Sequence, residues 1–143
     1  MLIAEFLCRK SSVRELILKS NKIGDDGMSI IAEALEGYKS SVQLLNISQT
    51  SITSESFRKI SLKLKSKHAL IALIADKNNL NTPNVFAPFA NSLRSGSSLK
   101  HVSLANCHLT DTFGIPFGDA IKTNKELVKF NLSGNEFTSA TVK

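Results

Sequence analysis

The string Val13-x-x-Leu16-x-Leu18-x-x-Asn21-x-Ile23 returns four more times along this chain, at a spacing of 28 or 29 residues. The later copies are Val42-x-x-Leu45-x-Ile47-x-x-Thr50-x-Ile52, Leu70-x-x-Leu73-x-Ala75-x-x-Asn78-x-Leu80, Leu99-x-x-Val102-x-Leu104-x-x-Cys107-x-Leu109 and Leu127-x-x-Phe130-x-Leu132-x-x-Asn135-x-Phe137. A period in this range specifies a solenoid, because one unit cannot bury its own faces and stacked neighbours supply the missing core. Architecture is therefore strongly constrained, and a binding role is favoured, before any single residue is weighed.

Each copy changes period once. Its first half alternates, as at Leu16 and Leu18 or Leu45 and Ile47, which reads as a short strand with one buried face. Its second half turns helical: Met28, Ile31, Ala32 and Leu35; then Phe57, Ile60 and Leu64; then Phe86, Phe89, Ala90 and Leu93; then Phe117 with Ile121. Strands are expected near 15–18, 44–47, 72–75, 101–104 and 129–132, and helices near 26–37, 55–66, 83–94 and 112–123. Asp25, Ser54, Thr82, Asp111 and Ser139 stand in one column two residues after the motif, and all are residue types that cap helix N-termini. Pro83 follows Thr82 directly, where a first helical turn tolerates a missing N–H.

These residues resemble the leucine-rich repeat consensus, and the helical second half resembles the ribonuclease-inhibitor-like subclass. Asn21, Asn78 and Asn135 alternate with Thr50 and Cys107, much as that subclass alternates Asn-type and Cys-type units. Ala75, Phe130, Phe137 and the inner-face Ser61 depart from the pattern. The resemblance implies an α/β fold, a leucine-rich repeat solenoid forming a right-handed β-α superhelix, with a short-stranded parallel concave sheet and convex helices. It also implies that Asn21, Thr50, Asn78, Cys107 and Asn135 form a turn ladder, since each side chain carries a donor for turn carbonyls. The expected organisation is a single domain over 1–143, with a partial repeat at 1–12, repeats at 13–41, 42–69, 70–98 and 99–126, and a partial repeat at 127–143. Ile3-Ala4-Glu5-Phe6-Leu7 resembles Ile31-Ala32-Glu33-Ala34-Leu35, so the expectation is a segment of a longer array whose uncapped termini permit end-to-end self-association.

In the resembled family, partners sit on the concave sheet. Pleating places Glu15, Ile17, Lys19, Ser20, Leu44, Asn46, Ser48, Gln49, Ala72, Ile74, Asp76 and Lys77 there, followed by His101, Ser103, Ala105, Asn106, Lys129, Asn131, Ser133 and Gly134. Ile17, Leu44, Ala72 and Ile74 would form an exposed apolar patch with Lys19 and Lys77 at its margin, and an apolar centre with a polar rim is how binding hot spots are built. Scattered surface aliphatics, the competing explanation, need no function.

Other classes fare worse. Five of the cations behind the net charge of +6 lie at Arg58, Lys59, Lys63, Lys65 and Lys67, on the outer side of the second helix. They could meet an anionic surface, nucleic acid or acidic lipid, but there is no glycine-rich cradle and no aromatic for base stacking beyond the inward Phe57. His101, Ser103 and Asp76 have catalytic identities, yet residues two apart on a strand stand roughly 7 Å apart, and a flat sheet supplies no oxyanion hole. His68, His101 and His108 have no metal spacing, and Cys8 and Cys107 lie far apart. No run nears the roughly 18 apolar residues of a membrane span, and the opening MLIAEFLCRKSS reverses the charge order of a signal peptide. The expectation is a non-catalytic protein-recognition scaffold, cytoplasmic, with no cofactor and another protein as partner; the sequons at Asn46 and Asn131 would matter only in a secreted chain.

Overall fold

A computed structural model describes residues 2–9, 12–36, 40–63, 69–82, 86–94 and 97–141. Helix and strand alternate: α1 (Leu2–Arg9), β1 (Glu15–Ile17), α2 (Gly24–Glu36), β2 (Leu44–Asn46), α3 (Ser54–Lys63), β3 (Ala72–Ile74), α4 (Ala87–Arg94), β4 (His101–Ser103), α5 (Asp111–Thr123) and β5 (Lys129–Asn131). The five strands lie in chain order in one parallel sheet. Glu15, Leu44, Ala72, His101 and Lys129 form one cross-strand row, and Leu16, Leu45, Leu73, Val102 and Phe130 form the next. Neighbours in each row are therefore equivalent motif positions.

The core runs as a continuous sheet–helix filling. Leu45, Ile47, Leu73, Ala75, Leu99 and Leu104 from the motif meet Met28, Ile31, Phe57, Phe89 and Leu93 from the helices, all essentially excluded from solvent. Phenylalanines thread it: Phe57 contacts Phe86 and Phe89, Phe89 contacts Phe117, and Phe113 stacks on Phe117, which stacks on Phe130 at 4.7 Å between ring centres. Ser61 is fully buried yet satisfied, donating its hydroxyl to Phe57 O one turn back.

Three expectations need correction. Ile121 is 41% exposed, and the inner stripe of α5 is Phe113, Phe117 and Ala120. Those three fall within about 60° on a 3.6-residue helix, while position 121 lies further round on the flank. Next, α4 begins at Ala87, four residues later than position 83; Pro83 lies outside the described residues.

The third correction concerns the capping column. Asp25 lies inside α2 and Asp111 is the first residue of α5, and neither caps its own helix. They reach forward one unit instead. Asp25 accepts the Thr53 N–H at 2.9 Å and the hydroxyls of Thr53 and Ser56; Asp111 accepts the Thr138 N–H at 2.9 Å and the hydroxyls of Thr138 and Thr141. Ser54 likewise accepts the Thr82 N–H at 3.1 Å. Partial burial pulls the Asp25 carboxyl upward, but hydrogen bonds from Ser56 and Thr53 outweigh it and hold the group below its ordinary value. Thr138 and then Thr141 lower Asp111 in the same way. Asp25, Ser54 and Asp111 thus act as inter-unit staples. Residue type is shared between capping and stapling, because both need an oxygen facing a backbone N–H.

Candidate functional site

Strand pleating turns one row inward and the two flanking rows outward. Leu16, Leu45, Leu73, Val102 and Phe130 face the helices; the Glu15–Leu44–Ala72–His101–Lys129 row and the Ile17–Asn46–Ile74–Ser103–Asn131 row face the open side of the sheet. Glu15, His101 and Lys129 are exposed, whereas Leu44, Asn46, Ala72, Ile74, Ser103 and Asn131 are half-buried. Lys19 is exposed at the turn beyond β1, and Asp76 is half-buried beyond β3. Ser48 and Ala105, assigned to this face from pleating, are buried. By that row the chain has left the extended strand, and turn-to-turn bonds from Ser20 N–H to Ser48 O and Lys77 N–H to Ala105 O close over them.

On this face lies an open depression of about 380 Å³, lined by Leu44, Ala72, Ile74, Asp76, His101, Val102, Ser103, Lys129 and Asn131. Ala72 stands between Leu44 and His101 in its row, and its single methyl leaves the hollow. Glu15, Ile17, Lys19 and Asn46 lie on the same sheet side but outside the lining. Ile17, 60% exposed, is separated from Ile74 by Asn46, so the four aliphatics do not form one unbroken patch.

The polar wall is tied together. Ser103 Oγ donates to Asp76 Oδ1 at 2.6 Å, the Ala105 N–H donates to the same oxygen at 2.8 Å, and Asn131 Nδ2 donates to Ser103 Oγ at 3.1 Å. The serine proton thus goes directly to the aspartate, bypassing His101, which removes the base–nucleophile relay that a triad needs. These bonds were not foreseen: Ser103 and Asn131 share one motif position, but Asp76 stands two residues further along its own motif, at the position of Ala105.

A turn ladder fixes the rim. Asn78 Nδ2 donates to Ile47 O, Ala75 O and Asp76 O, while its Oδ1 accepts the Thr50 N–H at 3.1 Å. Asn135 does the same to the unit before it: Nδ2 donates to Leu104 O and Leu132 O, and Oδ1 accepts the Cys107 and Leu109 N–H groups. Asn21 donates to Leu18 O and Lys19 O, Thr50 to Ile47 O, and Cys107 Sγ to Ala75 O at 3.3 Å. Burial pushes the Cys107 thiol up to about 11, so it stays protonated as a donor rather than a nucleophile.

The preceding residues Ser20, Gln49, Lys77, Asn106 and Gly134 all hold positive φ, between 54° and 69°. At Gly134 a Cβ would come within 2.1 Å of Asn106 Oδ1. Unit type also shows in the backbone: Ser51 and His108, after the Thr and Cys rungs, are left-handed, whereas the residues after Asn21, Asn78 and Asn135 are not.

On the convex side the basic run is already engaged where it is described. Arg58 pairs with Glu55, Lys63 with Glu36, and Lys59 Nζ donates to Ser29 Oγ at 3.0 Å. Lys65 and Lys67, with Leu64 and His68, lie outside the described residues. Among the described residues no group of three His, Cys, Asp or Glu side chains could hold a metal ion, and no helix is long and apolar enough to cross a membrane.

Comparison with known proteins agrees with this geometry. The family model described as Leucine Rich repeat matches residues 9–32. The chain is 28% identical over 141 residues to human NACHT, LRR and PYD domains-containing protein 13, covering 99% of the chain and 13% of that protein. It is 25% identical over 132 residues to the ribonuclease inhibitor of Mus musculus, covering 92% of the chain and 29% of the inhibitor. The chain thus spans well under a third of these relatives' lengths. Among solved structures, the Leiomodin-1 Actin-Binding Site 2 superposes with a TM-score of 0.81 at 19% identity, over 97% of this chain and 82% of that one. The tropomodulin C-terminal domain of Caenorhabditis elegans gives 0.77 at 17% identity, over 91% and 82%. The fold is a leucine-rich-repeat-type α/β solenoid with low-identity homology to ribonuclease-inhibitor-type proteins.

Proposed function

We propose that this chain is a non-catalytic scaffold that binds another protein on its concave sheet face, at the depression between Leu44 and Lys129. The observation that carries the reading is that depression: an apolar side of Leu44, Ala72 and Ile74 facing a hydrogen-bonded polar wall of Asp76, Ser103 and Asn131, with charged Lys129 at its margin. Preorganised polar groups beside an apolar floor give a partner both burial and register without an ordering cost on this side. A relative named ribonuclease inhibitor, by that name a protein acting on another protein, supports the same reading. Free Cys8 and Cys107 suit a reducing cytoplasmic compartment, which is part of the proposal.

Changing Leu44 and Ile74 together to Asp tests it. Both are only half-buried, so the far-UV circular dichroism spectrum should be kept, while affinity for a concave-face partner should fall by about 2 kcal/mol or more, the scale of a truncated hot spot. Neutralising Lys59 and Lys63 should change little beyond the salt dependence. The reverse pattern, silent Asp changes and lysine changes that abolish binding with a steep salt slope, would assign the contact to an anionic surface on α3 instead.

A further inference from the structure

One row of the concave face changes character along its length. From β2 to β5 it reads Leu44, Ala72, His101 and Lys129, two apolar side chains followed by two hydrogen-bond donors on neighbouring strands. All four line the depression. Adjacent strands stand about 4.8 Å apart, which brings both halves of the row within reach of one small partner element.

The polar half is uncompensated. His101 and Lys129 are exposed, and neither side chain has a hydrogen-bond or ion-pair partner among the described residues. Lys77, which follows Asp76, and Lys100, which precedes His101, are exposed and unpaired in the same sense. On α3, by contrast, Arg58 is paired with Glu55 and Lys63 with Glu36. Asp76, the one carboxylate of the lining, is already committed: its Oδ1 accepts both the Ser103 hydroxyl and the Ala105 N–H. It also lies past the end of β3, away from the row.

We propose that the partner segment seated in this depression is both acidic and aliphatic. An aliphatic side chain rests on Leu44, Ala72 and Ile74, and a Glu or Asp carboxylate of the same segment sits between His101 and Lys129. The inference rests on the concave-face reading above and names the chemistry that face selects. Same-side residues of an extended segment stand roughly 7 Å apart, and those one turn apart on a helix about 5–6 Å. Either span matches the step from the apolar half of the row to the basic half. A protein segment fits better than nucleic acid, because half the row is aliphatic and none of the described lining residues is aromatic for base stacking.

The test titrates the nitrogen-15-labelled chain with a short blocked peptide carrying Leu and Glu two residues apart, and follows the amide signals of Ala72, Ile74, His101 and Lys129. These should shift saturably, and the peptide with Gln for Glu should bind about ten-fold more weakly. Lys129→Gln together with His101→Gln should erase that preference while leaving affinity for the Gln peptide unchanged, a coupling that lost packing would not produce. Both side chains are exposed, so the fold should be kept. A peptide with Lys for Glu that binds equally well, or a Glu preference that survives both substitutions, would overturn the acidic partner. The concave-face reading would still stand if Leu44→Asp with Ile74→Asp abolished binding of these peptides. Peptides that shift none of the four amides would overturn both readings. An oligonucleotide that shifts them while the Glu peptide does not would overturn the proposal in favour of a phosphate ligand.

Discussion

Phe89→Ala should cost about 3–5 kcal/mol of stability, the scale for removing a buried aromatic ring. Phe89 is fully buried, with ring centres 4.9 Å from Phe57 and 5.5 Å from Phe117, so its loss opens a cavity between three successive helices. Phe6→Ala supplies the contrast: that ring is 51% exposed on α1 and its removal should stay within about 0.5 kcal/mol. Urea unfolding followed by circular dichroism gives both numbers. Equal midpoints for the two variants would mean that the aromatic thread does not hold the helix layer.

The second large effect is expected in the turn ladder. Asn78→Ala should cost about 3 kcal/mol, because it leaves the buried Thr50 N–H and turn carbonyls without their partners. Asn21→Ala removes the same side chain from an exposed turn whose bonds stay within its own unit, and should cost about 1 kcal/mol or less. The difference between the two variants in the same unfolding experiment measures how much of the ladder's contribution comes from bridging units. Equal losses would show that it comes from the local turn alone.

Much of this fold is legible because repetition turns one weak pattern into five concordant ones. The alternation at Leu16 and Leu18 is two residues long, yet with its copies it placed every strand to within a residue. The helix layer was less legible. A window holding both Phe117 and Ile121 fits an inner stripe, and only packing against α4 selects Phe113 and Phe117. The Asp25 and Asp111 column was visible as a column, but whether an oxygen meets its own helix or the next unit depends on where the helix begins, and sequence sets such boundaries poorly. On the concave face, period two places the strand residues on the right side, but fails past the strand end, where Ser48 and Ala105 are covered by turns. The depression itself is a volume effect of Ala72 between larger neighbours, and the Ser103–Asp76 bond depends on a cross-strand register that no single motif contains.

Hydrogen exchange resolved along the five strands tests the stacked-repeat account most directly. In such an array each unit's stability is close to its own term plus contacts with its nearest neighbours. In the 143-residue chain protection should be greatest from Leu45 to Leu104, where each strand is paired on both sides, and least at the edge strands β1 and β5. Uniform protection along all five strands, or greatest protection at the two edges, would contradict it.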